Sequence, residues 1–144
     1  MAAARVLVAV IAASVAQVER EVSLPELRVL VLASTRGSLT CAEVGAELGV
    51  HASNATRRVD RLVDAGLLHR RPSPSDRRYV EVTLTERGAD LVNRVMTHRR
   101  RAVEQVLAAV APRRRASIAP ALAAFAAAGG EVVDGSVWPQ GPWT

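Results

Sequence analysis

The sequence predicts a mainly helical protein that carries one small β-hairpin. Apolar residues recur at helical spacing along most of the chain, capping residues mark where helices begin, and one short stretch changes to the alternation typical of strands. The 144 residues are enough for one compact domain with a hydrophobic core. We therefore predict a single domain over residues 1–144, in which residues 129–144 form a Gly- and Pro-rich tail.

The first predicted helix, Ala2 to Arg20, begins with a run that is apolar on nearly every side. Two interpretations fit this run: a cleaved signal peptide, or a helix buried between two subunits. Burial is favoured, because Arg5 is the one basic residue of the run and the rest of the chain has an intracellular character. The run is also too short to span a membrane. We expect a cytoplasmic protein without a membrane partner.

Capping boxes predict the starts of the next two helices. Ser23 and Glu26 open the second helix, and Thr40 and Glu43 open a short third helix. Gly49 then turns the chain into a fourth helix, and two short helices joined by a glycine turn form a helix-turn-helix. The side chains predicted to face inward are Leu27, Leu30, Val31 and Ala33 in the second helix and Ala42, Val44 and Leu48 in the third.

The fourth helix, Ser53 to Ala65, separates apolar from polar side chains, and Gly66 supplies the left-handed residue that ends it. Arg57 points almost directly away from the apolar stripe. Taken alone, a solvated surface helix is the commoner explanation of this pattern. The predicted core-facing residues are Ala52, Ala55, Val59, Leu62 and Val63. The opposite side carries Ser53, Arg57, Asp60, Arg61 and Asp64, with Asn54 at its edge.

Two predicted strands, Leu67 to Arg71 and Tyr79 to Leu84, change this interpretation. The loop between them contains prolines and serines, which favour a turn, and we expect Pro72 to lie outside the strand ladder. Arginine side chains favour a narrow minor groove of DNA, and an aspartate beside them either holds one arginine or caps the turn. A helix-turn-helix followed by such a hairpin is a winged helix. The residues at the hairpin tip are Asp76, Arg77 and Arg78.

A long helix is predicted from Glu86 to Ala111, with Thr85 as its cap and Pro112 at its end. Its apolar stripe continues for about seven turns, which one small domain cannot bury by itself. We therefore expect a partner helix to cover part of it. A last helix is predicted from Arg113 to Ala128.

The composition favours a nucleic-acid partner. The formal charge of +5 suits a polyanionic partner. All 19 basic residues are arginine, a bias that a GC-rich genome explains better than function, although arginine does supply bidentate donors to phosphate and guanine. Aromatic residues make up only 3%, so stacking platforms for single strands look absent. A single cysteine excludes an internal disulfide and argues against a zinc site. We found no phosphate-binding glycine loop, nucleophile elbow or paired carboxylates, so the sequence predicts no cofactor and no enzyme activity.

From about Leu24 to Leu91 the chain resembles the MarR family of bacterial transcription regulators. The resemblance rests on LPELRVL, SLTCAEVGAELGV, VDRL in the fourth helix, AGLL where that helix ends, SDRRYVEVTLTERG, and the order of the helices. It implies a homodimeric repressor in which residues 1–22 and 86–128 dimerise. Residues 24–85 would form the winged helix-turn-helix and read a pseudo-palindromic operator. A small aromatic or lipophilic effector is a further partner that the resemblance allows.

The resemblance also assigns roles to residues. It places Arg78 at the minor-groove position of the wing, beside Asp76 and Arg77. Arg36, Thr40 and Arg61 are expected to contact phosphates. His51 and Ala52 occupy the start of the recognition helix. Many family members have Ser or Asp at the position of His51, and the position of Ala52 is often Arg. His51 is either a donor to DNA or a simple cap. The residues expected to meet base edges are Ser53, Asn54, Thr56 and Arg57.

Other interpretations stay open beside this one. The chain could act as a winged-helix interaction or dimerisation module without specific DNA binding. Cys41 lies in the first turn of the third helix, where a helix dipole favours a reactive thiolate, but a small filler residue is the commoner role. The arginine runs at residues 99–101 and 113–115 fit either DNA-backbone contacts or solvated faces.

Overall fold

The computed structural model describes residues 1–73 and 80–129. Within these ranges the chain forms six α-helices and one three-stranded antiparallel sheet, which confirms the predicted fold class. Two compact units are present, one spanning residues 1–99 and the other starting at residue 100. The elements in chain order are α1 (Ala2–Ala16), α2 (Leu24–Arg36), β1 (Leu39–Thr40), α3 (Cys41–Leu48), α4 (Ala52–Asp64), β2 (Leu68–Pro72), β3 (Val80–Leu84), α5 (Glu86–Ala108) and α6 (Pro112–Ala128).

The hydrophobic core of the first unit draws on every element from α2 to the first half of α5. Most of the predicted inward residues are buried there, but Ala42 and Ala52 are exposed because each lies in the first turn of its helix, at the edge of the core. Val29 is fully buried and was not predicted, because α2 packs against β1, β3 and α4 and is covered on more than one side. The correctly predicted buried residues are Leu27, Leu30, Ala33, Val44, Ala55, Val59 and Leu62.

Two helices end earlier than the sequence predicted. α1 ends at Ala16, and the chain then turns so that Val18 and Val22 enter the core. α5 ends at Ala108, where the guanidinium of Arg115 donates hydrogen bonds to the carbonyl oxygens of Ala108 (2.8 Å) and Val110 (2.7 Å). Such bonds satisfy carbonyls that a helix end leaves without partners. One arginine of the 113–115 run therefore has a structural role.

The sheet has the order β1–β3–β2, with β3 in the centre. β1 was not predicted, since two residues are too few to show an alternating pattern. The prediction for Pro72 was wrong, because this residue pairs with Val80 as the last position of β2. β2 is an outer strand of the sheet, and proline is tolerated there.

Glycines end both helices of the helix-turn-helix. Gly66 has φ +69°, and the N–H groups of Gly66 and Leu67 donate to the carbonyls of Val63 and Leu62. This is the Schellman arrangement, in which a left-handed residue lets the chain leave a helix with its last carbonyls satisfied. Gly49, at φ +63°, ends α3 in the same way. The turns between α3, α4 and β2 are therefore sharp and defined.

Polar contacts join the start of the chain to α5. Arg94 forms an ion pair with Glu21 at 2.7 Å, and Nε of Arg99 donates to the buried hydroxyl of Ser14 at 3.3 Å. Thr85 caps α5 as predicted, since its hydroxyl accepts a hydrogen bond from the N–H of Gly88 at 2.9 Å. Among the described helices, none has the length and apolar character needed to cross a membrane.

Candidate nucleic-acid interface

The fourth helix, α4, is fixed closely against α3. Gly45 of α3 is buried, and a β-carbon there would lie 3.2 Å from the carbonyl oxygen of Val50 and 3.6 Å from Cβ of Ala55. A β-carbon at this point would require the carbonyl of Val50 to shift by a few tenths of an ångström, so the turn into α4 packs tightly on α3. His51 occupies the N-cap of α4 in an extended conformation, and its side chain makes no capping hydrogen bond. The start of α4 is thus held by packing and by the turn.

The first turns of α4 present the four predicted base-reading residues to solvent. Ser53, Asn54, Thr56 and Arg57 are all exposed, as are His51 and Ala52 just before them. Nη2 of Arg57 donates to Oδ1 of Asn54 at 2.8 Å, and its Nε donates to the carbonyl of Ser53 at 3.4 Å. A guanidinium and an amide therefore sit side by side. These two groups are the usual bidentate partners of guanine and adenine in the major groove.

Arg57 has no carboxylate within ion-pair distance among the residues described, in contrast to Arg36, Arg61 and Arg70. Arg36 pairs with Glu47 of α3, and Arg70 of β2 pairs with Asp60 of α4. Arg61 lies 3.5 Å from Glu26. The guanidinium of Arg57 is consequently available to a ligand without first breaking an ion pair.

Thr40, predicted to contact phosphate, is occupied by a capping box. Its hydroxyl donates to the carboxylate of Glu43 at 2.8 Å and accepts a hydrogen bond from the N–H of the same residue at 3.2 Å. The backbone and hydroxyl hydrogen bonds from Thr40, helped by Arg36, hold the pKa of Glu43 below its ordinary value. The hydroxyl of Thr40 thus fixes the start of α3.

Glu26 was recognised in the sequence as a helix cap but not as a partner of α4. It is 8% exposed and accepts hydrogen bonds from the N–H (2.8 Å) and hydroxyl (2.6 Å) of Ser23. Burial acts to raise the pKa of its carboxyl group, but those hydrogen bonds and the charges of Arg61 and Arg58 lower it below the ordinary value. Glu26 is therefore an ionised, largely buried acid at neutral pH.

The wing is described up to the last paired residues of its two strands, Pro72 and Val80. The three predicted tip residues, Asp76, Arg77 and Arg78, lie outside the described residues. The strands that lead to the tip carry Arg70 and Arg71. The base of the wing is therefore basic.

No group of three or more metal-binding side chains occurs within residues 1–73 and 80–129. The site consists instead of an exposed polar helix face, held on a helix-turn-helix and followed by a small antiparallel sheet. Together these features define a winged helix-turn-helix protein. The sequence profile of the MarR family matches residues 22–80. The chain belongs to the MarR family.

Comparison with solved structures supports this assignment over nearly the whole chain. RV1404 from Mycobacterium tuberculosis is 42% identical, with a TM-score of 0.81. The match covers 90% of this chain and 88% of that protein. The likeness therefore includes helices on both sides of the winged helix-turn-helix.

Curated relatives match the central part. The HTH-type transcriptional regulator YfiV of Bacillus subtilis is 38% identical over 46% of this chain, and the match covers 41% of YfiV. The transcriptional repressor MprA of Escherichia coli is 33% identical over 51% of this chain and 42% of its own length. The match thus spans less than half the length of these two relatives. They are transcriptional regulators and not enzymes, and so is the family.

Proposed function

We propose that the protein is a homodimeric transcriptional regulator that binds a pseudo-palindromic operator in double-stranded DNA and represses transcription. The observation that carries the proposal is the first half of α4, where Arg57 and Asn54 are exposed, adjacent and without a carboxylate partner among the described residues. A recognition helix meets base edges with its N-terminal residues, which is where these side chains lie.

The residues of the interface divide by role. Side chains near the start of α4 read bases, while Arg36, Thr40 and Arg61 contact the phosphates on either side. In the free protein both arginines are paired with carboxylates, so their phosphate contacts require an exchange of partners. Arg77 and Arg78 enter the flanking minor groove, with Asp76 beside them. The base-reading set is Ser53, Asn54, Thr56 and Arg57, with His51 and Ala52 at the helix start.

Exposed apolar side chains support the homodimer. Residues 1–22 and 86–128 are assigned to dimerisation, and residues 24–85 to the winged helix-turn-helix, within one domain of 144 residues. An isolated chain would leave these side chains in water, and large exposed apolar patches are typical of interfaces. The side chains are Val6, Leu7, Val8 and Ile11 in α1, Val106 in α5, and Leu122 and Phe125 in α6.

Two further elements complete the proposal. A small aromatic or lipophilic effector releases the protein from its operator, in line with the resemblance of the chain to a family in which many members bind such molecules. The protein acts in the cytoplasm, where a bacterial transcription regulator meets its DNA. Adding candidate aromatic acids to a protein–operator complex and measuring release tests the first element.

Selection of bound DNA from a random pool tests the central proposal. A two-fold symmetric sequence with half-sites about one helical turn apart is expected. Its affinity should fall steeply between about 50 and 200 mM salt, and unlabelled operator should compete better than scrambled DNA. Enrichment of no sequence, together with a stable dimer, would instead identify a winged-helix interaction module, whose exposed apolar faces serve a protein partner.

A further inference from the structure

One carboxylate at the start of α2 faces two arginines of the recognition helix. Oε1 of Glu26 lies 3.5 Å from Nη1 of Arg61, and the charge of Arg58 also acts on this carboxylate. The other oxygen of Glu26 accepts both hydrogen bonds from Ser23. Glu26 therefore joins the first turn of α2 to the second half of α4.

The two arginines differ in their surroundings. Arg58 is half-buried, and its buried Nε has no hydrogen-bond partner within the described part of the chain, so part of its guanidinium lies inside the fold. The side chain of Arg61 is 66% exposed and touches Glu26 through one nitrogen. Arg61 follows Arg57 by four residues and thus lies on the same side of α4. Of the two, Arg61 is free to change partners.

We propose that Glu26 is an affinity-limiting residue, which competes with DNA phosphate for Arg61 while its charge also offsets that of the half-buried Arg58. The proposal rests on the proposed function, since it assumes that α4 docks on DNA. When DNA binds, Arg61 exchanges a carboxylate for a phosphate, and the charge of Glu26 continues to act on Arg58. Each DNA contact made by Arg61 is then weakened by the ion pair that it replaces.

This arrangement predicts opposite effects of one substitution on stability and on binding. Glu26→Gln keeps an amide oxygen that can still accept hydrogen bonds from Ser23, because glutamine also forms capping boxes. The variant should unfold at a lower temperature, since Arg58 loses its compensating charge. It should nevertheless bind DNA about two- to fivefold more tightly at low salt, which corresponds to the range of an exposed ion pair. The salt slope should steepen by up to about one.

A double-mutant cycle with Arg61→Gln tests the exchange. DNA affinity is measured by fluorescence anisotropy on full-length protein, with the selected operator and a scrambled duplex as probes. The gain from Glu26→Gln should disappear when residue 61 is glutamine, because no exchange is then possible. Glu131→Gln, which removes the same charge from the Gly- and Pro-rich tail outside the residues assigned to dimerisation and to DNA binding, serves as the control and should leave affinity within twofold of wild type.

The outcomes separate this proposal from the proposed function. If wild-type protein prefers its operator and Glu26→Gln binds no more tightly, or gains equally in the Arg61→Gln background, the exchange does not occur. If wild-type protein binds no DNA at all, the proposed function fails instead. If Glu26→Gln does not fold, Glu26→Asp is the second variant. It retains a negative charge near Arg58, but its shorter side chain places the carboxylate farther from Arg61. A gain in affinity is again expected, and its absence would overturn the proposal.

Discussion

Gly88, in the first turn of α5, lies directly against the backbone carbonyl of Leu67, three residues after the end of the recognition helix. A β-carbon at position 88 would lie 2.1 Å from the carbonyl oxygen of Leu67 and 3.1 Å from its carbonyl carbon. The carbonyl cannot swing away freely, because it accepts a hydrogen bond from the N–H of Thr85 at 3.1 Å. The start of α5 is therefore fixed to the junction between α4 and the wing.

Gly88→Ala should consequently lower the free energy of unfolding by about 3 kcal/mol, near the upper end of overpacking costs. Urea unfolding followed by circular dichroism measures the change. Gly129→Ala is the matched control, since a β-carbon there would be in ordinary contact, 3.4 Å from the carbonyl oxygen of Ala126. Equal stability of Gly88→Ala and wild type would mean that α5 begins farther from the wing than the structure shows.

Arg57→Gln should reduce discrimination between operator and scrambled DNA. The guanidinium lies beside Asn54 and needs no carboxylate to be displaced, so its loss removes a base contact worth about 1–3 kcal/mol. Competition binding with both duplexes measures the ratio of affinities. Arg28→Gln removes the same charge from an exposed position on α2 and should leave that ratio unchanged. If Arg57→Gln left the ratio of operator to scrambled-DNA affinity unchanged, Arg57 would be a contact to phosphates and not to bases.

Much of the fold followed from local patterns in the sequence. The capping boxes, the two helix-ending glycines and the apolar stripe of α4 act within a few residues, and each was predicted close to its place. What could not be predicted depends on residues far apart in the chain. The ion pairs of Arg36, Arg61 and Arg70 form only after α2, α3, α4 and β2 have packed together.

The candidate site likewise combines local features with contacts between distant parts of the chain. Its exposed helix face was predicted, because helical periodicity places Arg57 opposite the buried residues. Which arginines are free of an ion pair, and so available to DNA, could not be predicted, since this depends on which carboxylates the fold brings near. The roles assigned to the wing tip, Asp76, Arg77 and Arg78, remain predictions.

Acid should destabilise the protein partly through Glu26. The pKa of Glu26 is lower in the folded chain than its ordinary value, so the folded state binds fewer protons than the unfolded state in this range. The stabilisation is fully present above the ordinary pKa of about 4.3 and is lost as pH falls through the lower folded pKa. Unfolding free energy measured between about pH 6 and 3 should fall less steeply in Glu26→Gln. Parallel curves for the two proteins would contradict this prediction.

Arg78→Ala should weaken DNA binding most at operators flanked by A·T tracts. These tracts narrow the minor groove and deepen its negative potential, which an inserted arginine detects. Binding is compared on two duplexes that share the operator and differ only in A·T or G·C flanks. An equal loss on both duplexes would show that Arg78 makes a plain phosphate contact. Arg71→Ala, at the base of the wing, is the control, and any loss of affinity it causes should be the same for both flanks.

Val8→Glu should disrupt the proposed dimer. Val8 is 64% exposed on α1, in a helix whose neighbouring apolar side chains are also exposed, and a carboxylate buried at a subunit interface without a partner is strongly unfavourable. Sedimentation velocity measures the shift from dimer to monomer, and operator affinity should fall with it because two half-sites are no longer held together. Gln17→Glu, at the end of the same helix, adds the same charge at a polar exposed position and should remain dimeric. A dimer of unchanged stability in Val8→Glu would exclude this face of α1 from the subunit interface.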